Sequence, residues 1–463
     1  MLHCTVLYCT HLLFGEDTGL LVYAEPSSCS LRRLNLYYRK VVYQYSGTEK
    51  LDHTTQHNTY LLTHATMSGG GPLPVVINEK ILSIADLKSS ADKLLPPLIR
   101  DFYNSGSTDQ RTLKANEDAL ARYHLRSRVL VDVKNLSTES VCLGKRIRFP
   151  LCCAPAGIQG AAHEEGEVAT SRAVAVWGVG QAVSSFASFG IGEIVNAGRE
   201  VGERMKGEDG GGYGVPVYAM QMYPMRDRGL QERILRRAEE AGCTAVFVTG
   251  DSPVLGVRYN EWRNDFRTPD GIGFPIFEAD SKSIREASHD DMFKNLNDDG
   301  AEWKTEIKWL RERTSMKIFV KGVMCAEDVR AAVEYGCDGV IVSNHGGRQL
   351  DGVPGTLDVL EECVDAARGS DLEVHVDGGF RKGSDIFVAL ALGAKCCWIG
   401  RPVLWGLAYN GQQGVERMLE IMYEDFRRCM ALCGCRTVES INRGCLARMG
   451  LDGVLRPLGR SKL

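Results

Sequence analysis

The sequence predicts an α/β fold in which eight parallel strands close into a (β/α)8 TIM barrel. Short apolar or β-branched runs alternate with helix-like segments from residue 150 onward, and eight such runs occur within about 250 residues. Alternating strands and helices indicate parallel βαβ units, and eight units over this length favour a closed barrel over an open sheet. Polar residues also follow the runs, at the end of a barrel where active sites form.

Eight strands are predicted, and all but the first end in glycine or a polar residue. They are Pro150–Pro155, Gly180–Ser184, Val215–Gln221, Thr244–Asp251, Lys317–Lys321, Gly339–Asn344, Glu373–Gly378 and Lys395–Gly400. Apolar residues at three- and four-residue spacing predict helices between them, most clearly at Gly229–Ala241, Ala326–Tyr335 and Gly383–Leu392. A helical stretch at Leu94–Tyr123 precedes the barrel, and we expect it to pack as an N-terminal cap.

The connection after the fourth strand is longer than an ordinary crossover, with about 65 residues between Asp251 and Lys317. Long loops in compact domains are usually functional or disordered. We interpret residues 257–312 as a lid over the barrel mouth. Residues 1–66 have no sustained periodicity, and we interpret them as an extension that is disordered or not part of the working protein. In the second case, the working protein would start at Met67. Residues 67–463 then form a single barrel domain.

Composition limits the classes of partner. The chain has 44% hydrophobic and 25% charged residues and a net charge of −4, which is typical of a globular protein without a global positive field. No apolar run approaches the ~18 residues of a membrane helix. We therefore expect neither a nucleic-acid nor a membrane partner. Sixteen cysteines in 463 residues are too sparse for a disulfide scaffold, and Cys433-x-Cys435 lacks the companions of a zinc site. We expect buried reduced thiols and no metal.

Two glycine-rich strand ends indicate a phosphate-bearing cofactor. Asp377-Gly-Gly-Phe-Arg follows the seventh strand and Gly400-Arg-Pro follows the eighth. Glycine lets backbone N–H groups approach phosphate oxygens, and a helix N-terminus adds positive potential. Arg381 and Arg401 would add charge-assisted hydrogen bonds.

Residues at the other strand ends predict proton transfer and anion binding. His345 follows the sixth strand, and Arg348 stands three residues later. A histidine moves protons near neutral pH, and an arginine holds a carboxylate at two points. Asp251 and Arg258 supply a partner carboxylate and a second guanidinium. Lys321 ends an apolar strand and would be costly to bury without an anionic partner.

This constellation resembles the FMN-dependent α-hydroxy acid oxidase/dehydrogenase family, which includes glycolate oxidase, lactate oxidase and flavocytochrome b2. The family signature is present as Ser343-Asn-His-Gly-Gly-Arg-Gln-Leu-Asp, and the lysine strand and both glycine–arginine loops occur in the family's order. The resemblance spans roughly Ile81 to Met449. It implies FMN as a non-covalent cofactor.

The resemblance implies four catalytic residues. His345 would be the base that takes the α-hydroxyl or Cα proton, and Asp251 would stabilise its charged form. The Tyr223 hydroxyl would bond the substrate oxygen. Lys321 would lie near flavin N1 and O2, where it would stabilise the anionic reduced ring.

The resemblance also implies a carboxylate clamp made by Arg258 and Arg348. The sequence departs from the family at two substrate-binding positions. Phe102 stands where the family commonly has a tyrosine whose hydroxyl binds the carboxylate, so that bond is missing unless Tyr103 compensates. Phe186 replaces the tryptophan of glycolate-type members. We therefore expect a larger or more apolar 2-hydroxy acid than glycolate.

Three groups of residues would hold FMN. The flavin face and N5 would contact Pro155, Ala156 and Gly157. The ring system or ribityl chain would bond Ser184, Gln221, Thr249 and Ser343. The ribityl chain and phosphate would be held by Asp377, Gly379, Arg381, Gly400 and Arg401.

The implied enzyme is an (S)-2-hydroxy-acid oxidase that converts an L-2-hydroxy acid to the 2-oxo acid and passes electrons to O2, giving H2O2. Two alternatives remain open: a dehydrogenase with another electron acceptor, and a catalytically silent FMN-binding protein. We also expect a homo-oligomer. The final Ser461-Lys-Leu predicts binding to the peroxisomal import receptor and hence a peroxisomal location.

Overall fold

A computed structural model describes residues 81–206, 212–278 and 288–459, and it confirms the closed parallel barrel. Before the barrel come α1 Ile84–Leu94, α2 Pro97–Asn104, α3 Arg111–Ala121, β1 Tyr123–Leu125, β2 Ser140–Cys142 and β3 Lys145–Ile147. The barrel strands are β4 Leu151–Cys153, β5 Gln181–Val183, β6 Tyr218–Met222, β7 Ala245–Thr249, β8 Lys317–Val323, β9 Gly339–Val342, β10 Glu373–Asp377 and β11 Cys397–Ile399. All eight predicted strands are present, with ends shifted by up to three residues. The barrel closes where Ile399 of β11 pairs with Cys153 of β4.

Ten helices of the described residues follow β4, and most of them cover the outer faces of the barrel strands. They are α4 Gly166–Trp177, α5 Ile191–Met205, α6 Arg228–Ala241, α7 Tyr259–Arg263, α8 His289–Leu296, α9 Trp303–Arg311, α10 Ala326–Glu334, α11 Thr356–Ala366, α12 Gly383–Leu392 and α13 Arg401–Leu432. At the C-terminal end, β12 Leu446–Met449 pairs with β1 and with β13 Leu455–Pro457. The helix α6 shows how local sequence sets the bounds: the Asp227 side chain caps its N-terminus, and Gly242 ends it at φ 102°.

Strand residues alternate between two apolar layers. On β7, Ala245 and Phe247 belong to the cluster inside the barrel, whereas Val246 and Val248 belong to the cluster beneath the helices. Side chains of a strand point to opposite faces in turn, and both faces of a parallel barrel are covered. This explains why the strands are apolar runs in the sequence. The next inward position after Phe247 is Thr249, where the inward-facing side chains change from apolar to polar.

The predicted helical cap at Leu94–Tyr123 is present and is divided into separate helices. The structure has α2 and α3 there, separated by a turn over residues 105–110, and α1 precedes them. Proline is favoured in a first helical turn, so Pro97 begins α2 rather than continuing an earlier helix. The turn contains Gly106, where a Cβ atom would lie 2.9 Å from the Gly347 carbonyl oxygen. Close packing of this turn against the loop after β9 therefore leaves room only for glycine at position 106.

The long connection after β7 carries α7 and α8 before the regular barrel helix α9. The predicted lid at 257–312 thus includes one ordinary barrel helix at its end. Several predictions concern residues outside the described ranges: the 1–66 extension, the start at Met67, part of the lid at 257–312, and the tripeptide Ser461–Leu463. Among the described residues, no helix is both long and apolar enough to cross a bilayer.

All thirteen cysteines in the described ranges are free thiols, and only Cys325 among them is partly exposed. The expectation of buried reduced thiols is confirmed for these residues. Three of them, Cys142, Cys152 and Cys396, meet inside the barrel with their sulfur atoms within 4.8 Å of one another, an encounter that the sequence did not indicate.

Candidate active site

A cavity opens at the C-terminal ends of the barrel strands, above the apolar interior layer. Thr249 points inward two residues beyond Phe247, and Lys321 stands in the same relation to Phe319. Each strand thus brings a polar group to the cavity by continuing its inward register. The predicted site residues that line the cavity are Phe102, Pro155, Ala156, Gly157, Ser184, Phe186, Gln221, Tyr223, Thr249, Arg258, Lys321, His345, Arg348, Asp377, Gly379, Arg381, Gly400 and Arg401.

His345 and Asp251 form a hydrogen-bonded pair. His345 Nδ1 lies 3.1 Å from Asp251 Oδ1, and the backbone N–H of His345 donates to Ser343 Oγ at 3.1 Å. Asp251 and Ser343, the two predicted residues outside the cavity lining, therefore support a residue that lines it. The His345 backbone has φ 58°, a left-handed conformation that costs energy for a residue other than glycine. Because Nδ1 bonds Asp251, Nε2 is the ring nitrogen available for proton transfer.

The electrostatics of this pair suit a base. Burial lowers the pKa of His345 below its ordinary value of 6.5, although the Asp251 carboxylate opposes this shift. Burial alone would raise the pKa of Asp251, but the charge and hydrogen bond of His345, with a contribution from Lys321, lower it to about 2. The imidazole is therefore neutral and the carboxylate ionised at neutral pH, which is the state in which the pair accepts a proton.

Lys321 is buried but has polar partners. Its Nζ donates to Ser343 Oγ at 2.9 Å and lies 3.6 Å from Asp377 Oδ2. The other carboxylate oxygen, Asp377 Oδ1, is buried with no hydrogen-bond partner in the described structure. A buried polar atom of this kind usually requires a partner, and Asp377 is one of the residues that line the cavity.

Arg258 and Arg348 lie side by side in the cavity wall and share an acid that sequence reasoning missed. Glu261 Oε1 accepts from Arg348 Nη2 at 2.9 Å and from Arg258 Nη1 at 3.3 Å. The sequence offered only an i, i+3 spacing between Arg258 and Glu261 within the predicted lid. Nothing local indicated that Arg348, from a different loop, would join them.

The hydroxyl that is absent at Phe102 is not replaced by Tyr103. The Tyr103 hydroxyl is buried and donates to the Ile158 carbonyl oxygen at 2.6 Å, so its single proton is already used. The Phe102 ring instead stacks on Phe266, with centroids 4.3 Å apart and planes 5° from parallel. The Arg348 guanidinium lies 5.0 Å from the Phe102 centroid, within cation–π range.

The outer wall of the cavity is largely apolar. Tyr223 makes edge contacts with Phe186 at 6.0 Å and with Phe293 at 5.1 Å between ring centroids. Burial raises the pKa of Tyr223, which keeps its hydroxyl protonated and able to donate. Leu255 and Met292 complete this wall. Sequence reasoning missed Leu255, Met292 and Phe293, because apolar residues in an irregular connection have no period that assigns them a face.

The inner part of the cavity offers polar groups from neighbouring strands. Gln221 Nε2 donates to Thr249 Oγ1 at 2.9 Å, while Gln221 Oε1 accepts from the Ser185 N–H at 3.2 Å. A Cβ on Gly157 would lie 2.9 Å from that of Phe186, so the loops after β4 and β5 are in close contact. These residues can present hydrogen-bonding groups and a backbone face to a planar ring.

The loops after β10 and β11 fit an anion. A Cβ on Gly400 would meet no atom within 4 Å, so the space at the N-terminus of α13 is open. Burial, together with the nearby Arg348 and Arg381, lowers the pKa of Arg401 to about 9, and burial also lowers that of Arg381. Clustered buried cations of this kind favour an anionic ligand. The Arg401 guanidinium also donates, at 2.9 Å in each case, to the carbonyl oxygens of Tyr103, Ser105 and Gly346.

Comparisons with known proteins agree with this geometry. The family model described as FMN-dependent dehydrogenase matches residues 91–448. The 2-hydroxyacid oxidase 1 of Homo sapiens is 40% identical over 371 residues, covering 79% of this chain and 96% of that protein. The glycolate oxidase of Spinacia oleracea is 38% identical over 372 residues, covering 80% and 96%. The crystal structure of mandelate oxidase with (S)-4-hydroxymandelic acid superimposes with a TM-score of 0.71 at 36% identity, covering 79% of this chain and 98% of that one.

Proposed function

Since the chain belongs to the FMN-dependent α-hydroxy acid oxidase/dehydrogenase family, we propose that it is an (S)-2-hydroxy-acid oxidase, which converts an L-2-hydroxy acid to the 2-oxo acid and reduces O2 to H2O2. FMN is the cofactor of this family, and oxidation of a 2-hydroxy acid is its reaction. The observation that carries the proposal is that His345, hydrogen-bonded to Asp251, lines the same cavity as Arg258, Arg348 and Lys321.

In the proposed mechanism, Arg258 and Arg348 hold the substrate carboxylate by charge-assisted hydrogen bonds. His345 Nε2 takes a proton from the substrate, and the Asp251 carboxylate stabilises the imidazolium that results. Tyr223 donates a hydrogen bond to the substrate oxygen. FMN, when bound, supplies the acceptor for two electrons, and the Lys321 ammonium places positive charge where negative charge develops.

The loops described above would hold FMN with its phosphate toward Arg381 and Arg401. The ring system would lie against Pro155–Gly157, within reach of Gln221 and Thr249. This orientation leaves the apolar outer wall for the substrate side chain. This wall favours an acid larger or more apolar than glycolate, because Phe186, Phe293 and Met292 can pack against an apolar side chain but offer no strong hydrogen-bonding groups.

Anaerobic mixing with a panel of acids tests the proposed function. The panel contains glycolate, L-lactate, L-2-hydroxyoctanoate and (S)-mandelate, with the opposite enantiomers of the last three as controls. We expect bleaching of the flavin by the larger L-acids and rapid recovery in air. Bleaching with slow recovery would indicate a dehydrogenase with another acceptor. No bleaching by any member would contradict the proposed reaction and leave a silent FMN-binding protein.

Phe102→Tyr is expected to lower the KM for the preferred acid by about 10-fold, because a hydroxyl near Arg348 adds a hydrogen bond to a charged carboxylate. Steady-state oxygen consumption measures this change. Phe266→Tyr is the matched control, because Phe266 packs on the far side of the stack and does not line the cavity. An unchanged KM in Phe102→Tyr would mean that the carboxylate does not bind beside position 102.

We further propose that Ser461–Leu463 binds the peroxisomal import receptor and brings the enzyme to peroxisomes, where its peroxide would be produced. Deletion of the three residues is expected to leave activity intact and to move the protein to the cytosol. Fluorescence microscopy of tagged chains, with the tag at the N-terminus, measures the location. Continued peroxisomal location of the truncated chain would contradict the proposal. The homo-oligomer stays a prediction.

A further inference from the structure

We propose that Glu261 is a positioning residue, which fixes the guanidinium groups of Arg258 and Arg348 so that they bind the substrate carboxylate together. The inference rests on the proposed function, because it explains how the proposed site binds the substrate carboxylate. It goes further in naming a residue that contacts neither the substrate nor the cofactor in the proposed mechanism.

The geometry places one oxygen atom between two cations. Glu261 Oε1 is 2.9 Å from Arg348 Nη2 and 3.3 Å from Arg258 Nη1. The side chains of Glu261 and Arg258 are only 7% and 8% exposed, and that of Arg348 is 16% exposed. A single buried acceptor therefore sets the separation of the two guanidinium planes, with little water to compete for their hydrogen bonds.

The other hydrogen bonds of the two arginines do not fix one guanidinium group relative to the other. Arg348 Nη1 donates to the carbonyl oxygens of Phe102 at 2.7 Å and Ser105 at 3.0 Å, which fix that side of the guanidinium to the cap. Arg258 Nε donates to the Arg348 carbonyl oxygen at 3.3 Å. These bonds anchor each arginine to backbone, whereas Glu261 is the side chain that links the two guanidinium groups to each other in the described structure.

The charges of the three side chains also indicate a positioning role for Glu261. Two guanidinium groups buried side by side repel each other, and burial together with Arg258 lowers the pKa of Arg348 to about 10. Glu261 opposes that shift and offsets one of the two positive charges. Removing the acid would leave both cations to separate or to recruit another anion.

Glu261→Ala and Glu261→Gln test the proposal through binding rather than turnover alone. Anaerobic stopped-flow gives the substrate dissociation constant and the limiting rate of flavin reduction. Oxalate, titrated by its perturbation of the flavin spectrum, gives carboxylate affinity without any reaction. In Glu261→Ala we expect both dissociation constants to rise by about 10- to 100-fold, since about one to two charged hydrogen bonds lose their geometry. The limiting rate should change by less than about threefold, because the His345–Asp251 pair is untouched.

Glu261→Gln should lose less affinity than Glu261→Ala, because its amide oxygen can still accept from both arginines. Glu306→Gln is the matched control: Glu306 is also a buried acid, 5% exposed, that pairs with an arginine, Arg228, outside the cavity. It should leave oxalate affinity unchanged. Combining Glu261→Ala with Arg348→Lys should give less than the sum of the two losses, since Glu261 acts through that arginine.

Unchanged dissociation constants in Glu261→Ala would overturn the proposal, and so would a loss confined to the limiting rate. Poor folding of the alanine variant would appear as lost FMN absorbance, and the comparison would then rest on Glu261→Gln with its oxalate affinity. Failure of the proposed function is a separate result, because parent enzyme that no 2-hydroxy acid reduces can still be titrated with oxalate.

Discussion

His345→Gln is expected to slow anaerobic flavin reduction by ~10²–10⁴-fold while FMN stays bound, because a positioned base contributes about this much to the rate. Glutamine can accept a hydrogen bond but cannot take the proton. Nδ1 of the histidine is held by Asp251 at 3.1 Å, so the imidazole is oriented before substrate arrives. Stopped-flow measurement of the limiting reduction rate, with FMN absorbance as a check on occupancy, gives the result.

The same measurement has a pH dependence with a definite sign. Because burial lowers the pKa of His345 below 6.5, the parent rate should fall only as the pH drops below that lowered pKa and the imidazole becomes protonated. His163→Gln is the matched control, since His163 lies outside the cavity lining. If His345→Gln reduced its flavin at the parent rate, the base would be another residue.

Arg381→Ala combined with Arg401→Ala is expected to weaken FMN binding by about 10²- to 10⁴-fold, because two charge-assisted hydrogen bonds to the phosphate would be lost. Fluorescence quenching of FMN by the apoprotein measures the affinity. Arg401 also bonds to carbonyl oxygens of the cap, so a loss of affinity alone could reflect a displaced cap. Riboflavin, which lacks the phosphate, separates the two causes.

For a phosphate role, riboflavin affinity should change far less than FMN affinity in the double variant. Arg172→Ala, which removes an arginine that pairs with Glu165 outside the cavity, serves as the control substitution. Equal losses of affinity for FMN and riboflavin would mean that the two arginines stabilise the cap, and would contradict their assignment to the phosphate.

The barrel and much of the site could be predicted because their signals are local. Each barrel strand is a short apolar run, and residues such as Thr249 and Lys321 continue its inward register by two positions. Glycine and arginine together after β10 and β11 likewise indicate an anion from a few adjacent residues. These features depend on backbone periodicity and on residue type, which can be read from a single sequence.

The features that were missed depend on contacts between distant segments. The cap divides into α2 and α3 because the loop at Gly106 packs against Gly347, more than two hundred residues away in sequence. Glu261 pairs with Arg348 although 87 positions separate them in sequence, and Met292 and Phe293 face the cavity only through the path of an irregular connection. Such pairings leave no local pattern in the sequence. Glu261, Met292 and Phe293 could therefore be placed in the predicted lid, but their contacts could not be predicted.

The division of the cavity between strands and the long connection has a consequence for how this enzyme could be changed. His345, the proposed proton acceptor, and the expected flavin contacts come from strand ends and short loops of the barrel. Leu255, Met292 and Phe293, three residues of the outer wall, belong to the excursion between β7 and α9, whereas Phe186 comes from the loop after β5. Part of the wall proposed to contact the substrate can thus be exchanged without altering the residues proposed for catalysis. Grafting a foreign excursion that keeps Arg258 and Glu261 could retarget the enzyme to a new acid while retaining its catalytic machinery.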